Sequence, residues 1–340
     1  MADSLDRRSY DLLRLIADRE PIGSIRLVES MQQRGYSIKG RTVRLALSDL
    51  DERGLTEKVP GKGRRLTDDG RAELSRGDIH GRREQVRARI ATLTSQVTYD
   101  PFDDTGEVIA SRAIVPGDHV DDALETLAAL SETPVGPVPV AIEQGDDEYR
   151  LLVPSSLTLD GVLLARGIRT DLETAGLAEF HSDPDAAESP ASTAPHVGTR
   201  NGGTIVRYTD AISGKQSTMD VVSLLLEAGR TTTNRLLEGE DSALLVVDNR
   251  EIPLARYEET RDISDAVRSR LGGILDLRRP RASGPFPLET PSWDFASLTY
   301  GAGEIALSVL VERSLPTSFE TLAGLTARSE FESAANASRM

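Results

Sequence analysis

The chain has 340 residues, 38% of them hydrophobic, no cysteine and a formal net charge of −15. That length makes two domains the natural expectation, and the missing cysteines exclude disulfides, thiolate metal sites and cysteine nucleophiles. No run approaches the roughly 20 apolar residues that span a bilayer, and the opening MADSLDRRSYDLL lacks the apolar core of a secretion signal, so a soluble cytoplasmic protein with no membrane contact is expected.

The acidity is unevenly spread. Residues 1–90 hold 20 Lys+Arg against 15 Asp+Glu, a net of +5, and the other 250 hold 20 against 40, a net of −20. Such a split suits one module that meets phosphate and one that does not. Only Lys39, Lys58, Lys62 and Lys215 are lysines among 40 basic residues. Acidity combined with arginine-dominated cations is expected of proteins from salt-accumulating haloarchaea, and a GC-rich genome produces the same bias. Near 1 M salt the Debye length falls to about 3 Å, so close hydrogen-bonded contacts would have to carry any binding to phosphate. The histidines (His80, His119, His181, His196) show no ligand spacing, and no metal is expected.

In chain order, Asp3 or Ser4 can cap a first helix with Leu5, Leu12 and Ile16 at helical spacing. Pro21-Ile22-Gly23 breaks it, Ser24 can cap a second helix through Met31, and Gly35 stops that one. A third helix is predicted over residues 41–53. At about 100° per residue, Val43, Ala46, Leu47 and Leu50 share one side, and Arg41, Arg44, Leu45 and Ser48 the other. Guanidinium forks, a hydroxyl and an aliphatic group are what a recognition helix presents to base edges and thymine methyls. Lys39 and Thr42 flank its start. Residues 55–59 and 64–67 read as strands around the turn Pro60-Gly61-Lys62-Gly63. A hairpin after the third helix, with Lys62, Arg64 and Arg65 near its tip, is the wing of a winged helix-turn-helix. Thr67 can cap a short helix after it. Residues 1–77 thus form a DNA-binding domain. A linking helix at 78–97 carries Val86, Ile90, Leu93 and Val97 on one stripe, which can dock on its own chain or pair two protomers.

From Thr98 strands and helices alternate, predicting an α+β effector domain over residues 98–328 and a mixed α/β chain overall. Strands are expected at 107–114, 138–142, 149–153, 177–180, 203–208, 243–247 and 273–277. Helices are expected at 120–130, 157–166, 219–229 and 263–271. Residues 181–200 read as a loop, 304–311 fit either helix or strand, and 329–340 read as a frayed polar tail.

The run PIGSIRLVESMQQRGYSIKGRTVRLALSDLDERGLTEKVPGKGRRLTDDG resembles the winged helix of the archaeal nitrogen-regulatory repressor family NrpR, a module also catalogued with ribonuclease R. LTLDGVLLARGIRT, MDVVSLLLEAGRTT and VVDNREIP followed by LGGILDL resemble that family's regulatory domain, in the same order. The similarity spans about residues 10–290. It implies a repressor of nitrogen-assimilation genes that binds a double-stranded operator and is released by 2-oxoglutarate, with no other cofactor. Family members often carry two regulatory domains; this chain has room for one, and a homodimer would supply the second. The chain departs from the family at Tyr300-Gly301-Ala302-Gly303-Glu304 and in the loop at 181–200.

A dicarboxylate effector needs cationic forks or exposed N–H groups. The candidates are Arg230, Thr231 and Thr232 after a helix, and Asn249, Arg250 and Glu251 after a strand; Arg250 and Glu251 can equally form an internal ion pair. No P-loop, G-x-S-x-G or metal-binding His pair is present, so no enzyme is expected. The alternatives are a winged helix that binds RNA, which would call for aromatic stacking platforms, or one that makes protein contacts without a metabolite.

Overall fold

Asp6 caps the first helix, α1 (Arg7–Arg19), its carboxylate accepting the Ser9 N–H at 2.8 Å; the caps expected at Asp3 or Ser4 lie outside the described residues. In the computed structural model of the protein, residues 5–77, 79–145, 147–182, 197–198, 203–213, 220–288 and 290–337 are described. The chain divides into two compact units, Met1–Val86 and Arg87–Met340.

In the first unit α1 is followed by α2 (Ser24–Gln33) and α3 (Gly40–Glu52), then by β1 (Thr56–Val59), β2 (Gly63–Leu66) and α4 (Asp68–Gly77). Leu12 and Ile16 of α1, Leu27 and Met31 of α2, and Val43, Leu47 and Leu50 of α3 close one core with Leu55 and Leu66. The two strands pair antiparallel from Thr56 opposite Leu66 to Val59 opposite Gly63. Ile22, just before α2, adds a third rung: its N–H donates to Arg64 O at 3.0 Å and its carbonyl accepts from Arg64 N at 2.9 Å. A side chain at Gly63 would stand 2.1 Å from that carbonyl, so the close approach requires glycine. Thr67 caps α4, its Oγ1 accepting the Gly70 N–H at 3.0 Å.

Helix α5 (Ile79–Gln96) leads into the second unit. Its last turn docks on its own chain: Thr94 and Val97 are buried, and Arg89 Nε donates to Leu322 O at 3.1 Å. The elements then run β3 (Glu107–Pro116), α6 (Val120–Ser131), β4 (Pro139–Gln144), β5 (Glu148–Pro154), α7 (Leu157–Ala165), β6 (Asp171–Ser182), β7 (Val197–Gly198), β8 (Gly203–Ser213), α8 (Asp220–Glu227), α9 (Asn234–Leu237), β9 (Ser242–Pro253), α10 (Tyr257–Leu271), β10 (Ile274–Arg278), β11 (Phe295–Tyr300), α11 (Gly303–Glu312), β12 (Ser318–Ala327), β13 (Glu332–Ser333) and α12 (Ala334–Ala337). One sheet has the order β7-β10-β11-β9-β6-β8 and the other β12-β3-β5-β4-β13. Every pairing is antiparallel. The fold is a winged helix followed by a mixed α/β domain.

α11 contacts strands of both sheets as well as α6 and α8, and every residue from Gly303 to Leu310 is buried. That explains the ambiguity of residues 304–311, since a helix covered on all sides has no polar face to set a period. Two expectations are corrected. Strand β9 runs on to Pro253, so Asn249, Arg250 and Glu251 lie inside a strand and not after one. Residues 329–337 are no frayed tail, because β13 pairs with β4 and Phe331, Ala334 and Ala337 are buried. Most of the loop at 181–200 lies outside the described residues, and β7 falls within it.

Candidate nucleic-acid interface and effector-domain interior

On α3 the wheel prediction and the packing agree. Val43, Leu47 and Leu50 are buried, Ala46 packs at the core edge, and Arg41, Arg44, Leu45 and Ser48 are exposed. Leu45 keeps 61% of its surface accessible. Lys39 occupies the exposed N-cap position, and Thr42 is half-buried in the first turn. Arg44 Nε reaches only its own helix, at Gly40 O 3.1 Å, and Ser48 Oγ makes a long 3.4 Å contact to Glu52. The face therefore offers two guanidinium groups and an aliphatic side chain tied down by little else.

The wing's cations divide in use. Lys62 is exposed at the tip. Its N–H closes a turn onto Val59 O at 3.0 Å, with Pro60 then Gly61 at φ +72, the pair that a type II turn requires. Arg64 points inward. Its Nε and Nη2 grip Asp51 at 3.0 and 2.9 Å, so it fastens the wing to the end of α3. Burial pushes Asp51 up, but hydrogen bonds from Arg64 and Thr56 outweigh it and hold the carboxyl below its ordinary range. Arg65 is exposed and paired across the strands with Glu57 at 2.5 Å. Among the exposed cations that a reading based on α3 and the wing tip leaves out are Arg26 in the first turn of α2 and Lys58 on β1.

The six effector candidates do not converge. Thr232 Oγ1 accepts the Leu244 N–H at 2.8 Å, while Asn249 to Glu251 begin five residues farther along β9, about 17 Å away at the usual strand rise. Thr231 is buried. Arg230 is exposed and holds Asp210 at 2.7 Å. Asn249 Nδ2 donates to Ser297 and Thr299 Oγ atoms, both at 2.8 Å. Glu251 is half-buried, opposite Ser297 in the ladder. Arg250 lies on a central strand with its guanidinium inside the domain, and the carboxylate it grips is Asp160, not Glu251.

There it belongs to a buried polar network. Arg250 donates to Asp160 of α7 through Nε at 3.1 Å and Nη2 at 3.0 Å, and Asp248 lies 3.8 Å away. Asp160 also accepts from Tyr300 Oη at 2.7 Å and Thr170 Oγ1 at 2.8 Å. Beside them Glu304 of α11 accepts from Ser155 Oγ at 2.7 Å and Ser156 N at 3.1 Å, closing the uncapped start of α7. Burial opposes the charge on Arg250, but Asp160, Tyr300 and Asp248 together outweigh it and keep the guanidinium protonated. Burial also pushes Asp248 up to about 7; Arg250 pulls it back, while Glu304 and Asp160 push the same way as burial.

Comparison with known proteins follows the same division of the chain. Residues 5–74 match the ribonuclease R winged-helix domain, and residues 84–185 match the NrpR regulatory domains NRD1 and 2. The global nitrogen regulator NrpRI of Methanosarcina mazei is 27% identical over 288 residues, covering 82% of this chain and 83% of its own length. The chain is thus similar to NrpR-type regulators over most of its length. Global nitrogen regulators NrpR of Methanocaldococcus jannaschii and Methanococcus maripaludis are 26% and 29% identical, over 72% and 47% of this chain. The chain spans 41% and 29% of those two longer proteins. A nitrogen repressor-like protein from Methanococcus jannaschii shares the fold, with a TM-score of 0.55 over 73% of this chain and 97% of its own at 16% identity.

The segment Tyr300-Gly301-Ala302-Gly303-Glu304 has a structural use. A side chain at Gly301 would meet Val246 O at 2.5 Å and one at Gly303 would meet Pro154 O at 2.8 Å, so the glycines let α11 enter between the sheets. The network it completes makes stability pH-dependent. An unfolded Asp ionises near 3.9, whereas folded Asp248 keeps its proton to about 7. Stability is therefore highest at the acid end of that window, falls as pH rises through it, and levels off above it. At 1.4 kcal/mol per pH unit this contribution is on the order of 4 kcal/mol. Asp248→Asn is expected to flatten the fall in urea-unfolding free energy between pH 5 and 8; a slope equal to the parent's would show that Asp248 ionises normally.

Among the described residues no helix is long and apolar enough to cross a membrane.

Proposed function

We propose that the protein is a DNA-binding repressor of nitrogen-assimilation genes, released from its operator by 2-oxoglutarate and acting as a homodimer. The observation that carries the reading is the exposed face of α3, where Arg41, Arg44, Leu45 and Ser48 stand out from a winged helix joined to an NrpR regulatory domain. The relatives' names, global nitrogen regulator, support the choice of genes. Two half-sites on one operator would give a dimer the specificity that one recognition helix lacks. For the effector, Arg230 is the candidate that stays reachable. Its pair with Asp210 leaves both side chains about half exposed, and such surface pairs are worth so little that a dicarboxylate can displace the aspartate.

The test is titration of 2-oxoglutarate into the complex of the intact protein with the promoter region of a nitrogen-assimilation gene. Release of DNA is expected, with binding heat to the free protein by calorimetry and a weaker response in Arg230→Ala. Absence of both heat and release overturns the inducer, and failure to bind the promoter at all overturns the repressor.

A further inference from the structure

The loop between β10 and β11 builds a cavity of about 590 Å³ from Leu254, Arg279, Pro280, Arg281, Ala282, Ser283 and Trp293. That volume falls within the roughly 300–1,000 Å³ of small-molecule sites. Its walls are ordered: Ala282 N donates to Arg279 O at 3.0 Å, Leu254 N to Asp294 O at 2.8 Å, and Phe295 N to Ser292 O at 3.0 Å. Arg278 Nη1 fastens Ser283 O at 2.8 Å.

Two features of the walls have no use in the fold. Trp293, the only tryptophan in the chain, leaves 67% of its surface exposed. The Arg281 guanidinium sits 5.5 Å from the indole centroid and has no carboxylate partner among the described residues. An indole is a costly side chain to leave in water, and an arginine over it forms a flat, cationic, π-faced wall. Arg279, the second cation, is held in place by stacking 4.1 Å over the Tyr257 ring and by Glu258 at 2.5 Å. Glu258 also pairs with Arg261, which Asp262 holds at 3.2 Å as well, so the unneutralised cation of this wall is Arg281.

We propose that this cavity binds a nucleoside phosphate, the base stacked on Trp293 and the phosphates forked by Arg281 and Arg279. A planar heterocycle uses the indole face, and phosphate oxygens match the guanidinium fork in bidentate geometry. A five-carbon dicarboxylate fits less well, because it has no π face for Trp293 and leaves most of the volume empty. The site is separate from Arg230, so it stands or falls independently of the 2-oxoglutarate reading.

Because the chain holds a single tryptophan, its intrinsic emission reports this cavity alone. Titration of ADP into the intact protein is expected to change Trp293 emission saturably. Arg281→Ala is expected to weaken ADP by about tenfold or more, as loss of one charge-assisted contact does. By calorimetry Trp293→Phe, which keeps a ring, should bind far better than Trp293→Ser. Both positions are exposed, and an unchanged thermal midpoint checks that the variants fold. Inorganic phosphate and 2-oxoglutarate are the comparison arms. No saturable change with ADP, an equal response to phosphate or to 2-oxoglutarate, or unaltered ADP binding by Arg281→Ala would each overturn the assignment.

Discussion

Arg41→Ala combined with Arg44→Ala is expected to weaken operator binding by about 2–6 kcal/mol, at roughly 1–3 kcal/mol for each base-edge contact, while leaving thermal unfolding almost unmoved. Both side chains are exposed, and the one hydrogen bond at stake is Arg44 Nε to Gly40 O within the same helix, so stability should change by no more than about 0.5 kcal/mol. The residues lie three apart on one face, and their losses need not add. Arg64→Ala provides the contrast. It breaks a bidentate, charge-assisted pair with Asp51 whose side chains are only 15% and 21% exposed, which should cost about 1.5–3 kcal/mol of stability. Because stability from a carboxyl held below its ordinary range is present above the unfolded pKa and disappears as pH falls through the folded one, the Arg64 effect should be full at neutral pH and fade in acid. Anisotropy titrations on a labelled operator at several salt concentrations, run beside thermal melts, separate the two classes. If Arg41 and Arg44 instead touch only phosphate, the double variant will lose affinity equally on random DNA and its salt slope will shrink by about 0.9 per contact. Unchanged binding to operator and random DNA alike would remove α3 as the reading face.

The difference between Arg44 and Arg64 shows which information lies in local sequence. The helical period alone separates Val43, Leu47 and Leu50 from Arg41, Arg44 and Leu45, and the packing keeps that division. Arg64 looks equally free in a hairpin read by itself. Its partner, Asp51, is thirteen residues earlier on α3, and only the crossing of helix and wing brings them together. The effector domain obscures its sequence in another way. Strand β9 has β11 and β6 on its two sides, and Asp248, Asn249 and Arg250 are buried within it. An apolar run that breaks into Asp-Asn-Arg-Glu looks like the end of a strand, because the polar partners that make its continuation tolerable come from α7 and β11. Residues 329–337 mislead through composition: Ser, Glu and Asn outnumber Phe331, Ala334 and Ala337, yet those three supply the buried contacts.

Asp160→Ala should be the most damaging single substitution in the effector domain, costing about 3–5 kcal/mol, the usual price of leaving one charge of a buried pair without its counterion. The carboxylate receives Arg250 through two nitrogens, Tyr300 Oη and Thr170 Oγ1. After its removal the nearest acid to Arg250 is Asp248 at 3.8 Å, which burial still holds above the ordinary carboxylate range although one of the charges that raised it is gone. Toward acid pH the guanidinium would thus stand beside a neutral acid. At pH 8 an ionised Asp248 can take over part of the lost role, so the deficit of Asp160→Ala relative to the parent should narrow as pH rises. Asp160→Asn tests whether shape or charge matters: it keeps the volume, cannot neutralise Arg250, and is expected to recover little. The double change Asp160→Ala with Arg250→Met should recover much of the loss, because apolar replacement of a whole buried pair is often close to neutral. Urea unfolding of the parent, Asp160→Ala, Arg250→Met and the double variant gives the coupling as a double-mutant cycle. A favourable coupling of several kcal/mol at pH 6 that falls by pH 8 is the expected result. Single-variant losses below about 1 kcal/mol, within the range typical of surface pairs, would mean that water reaches Arg250 and that the network does not hold the domain together.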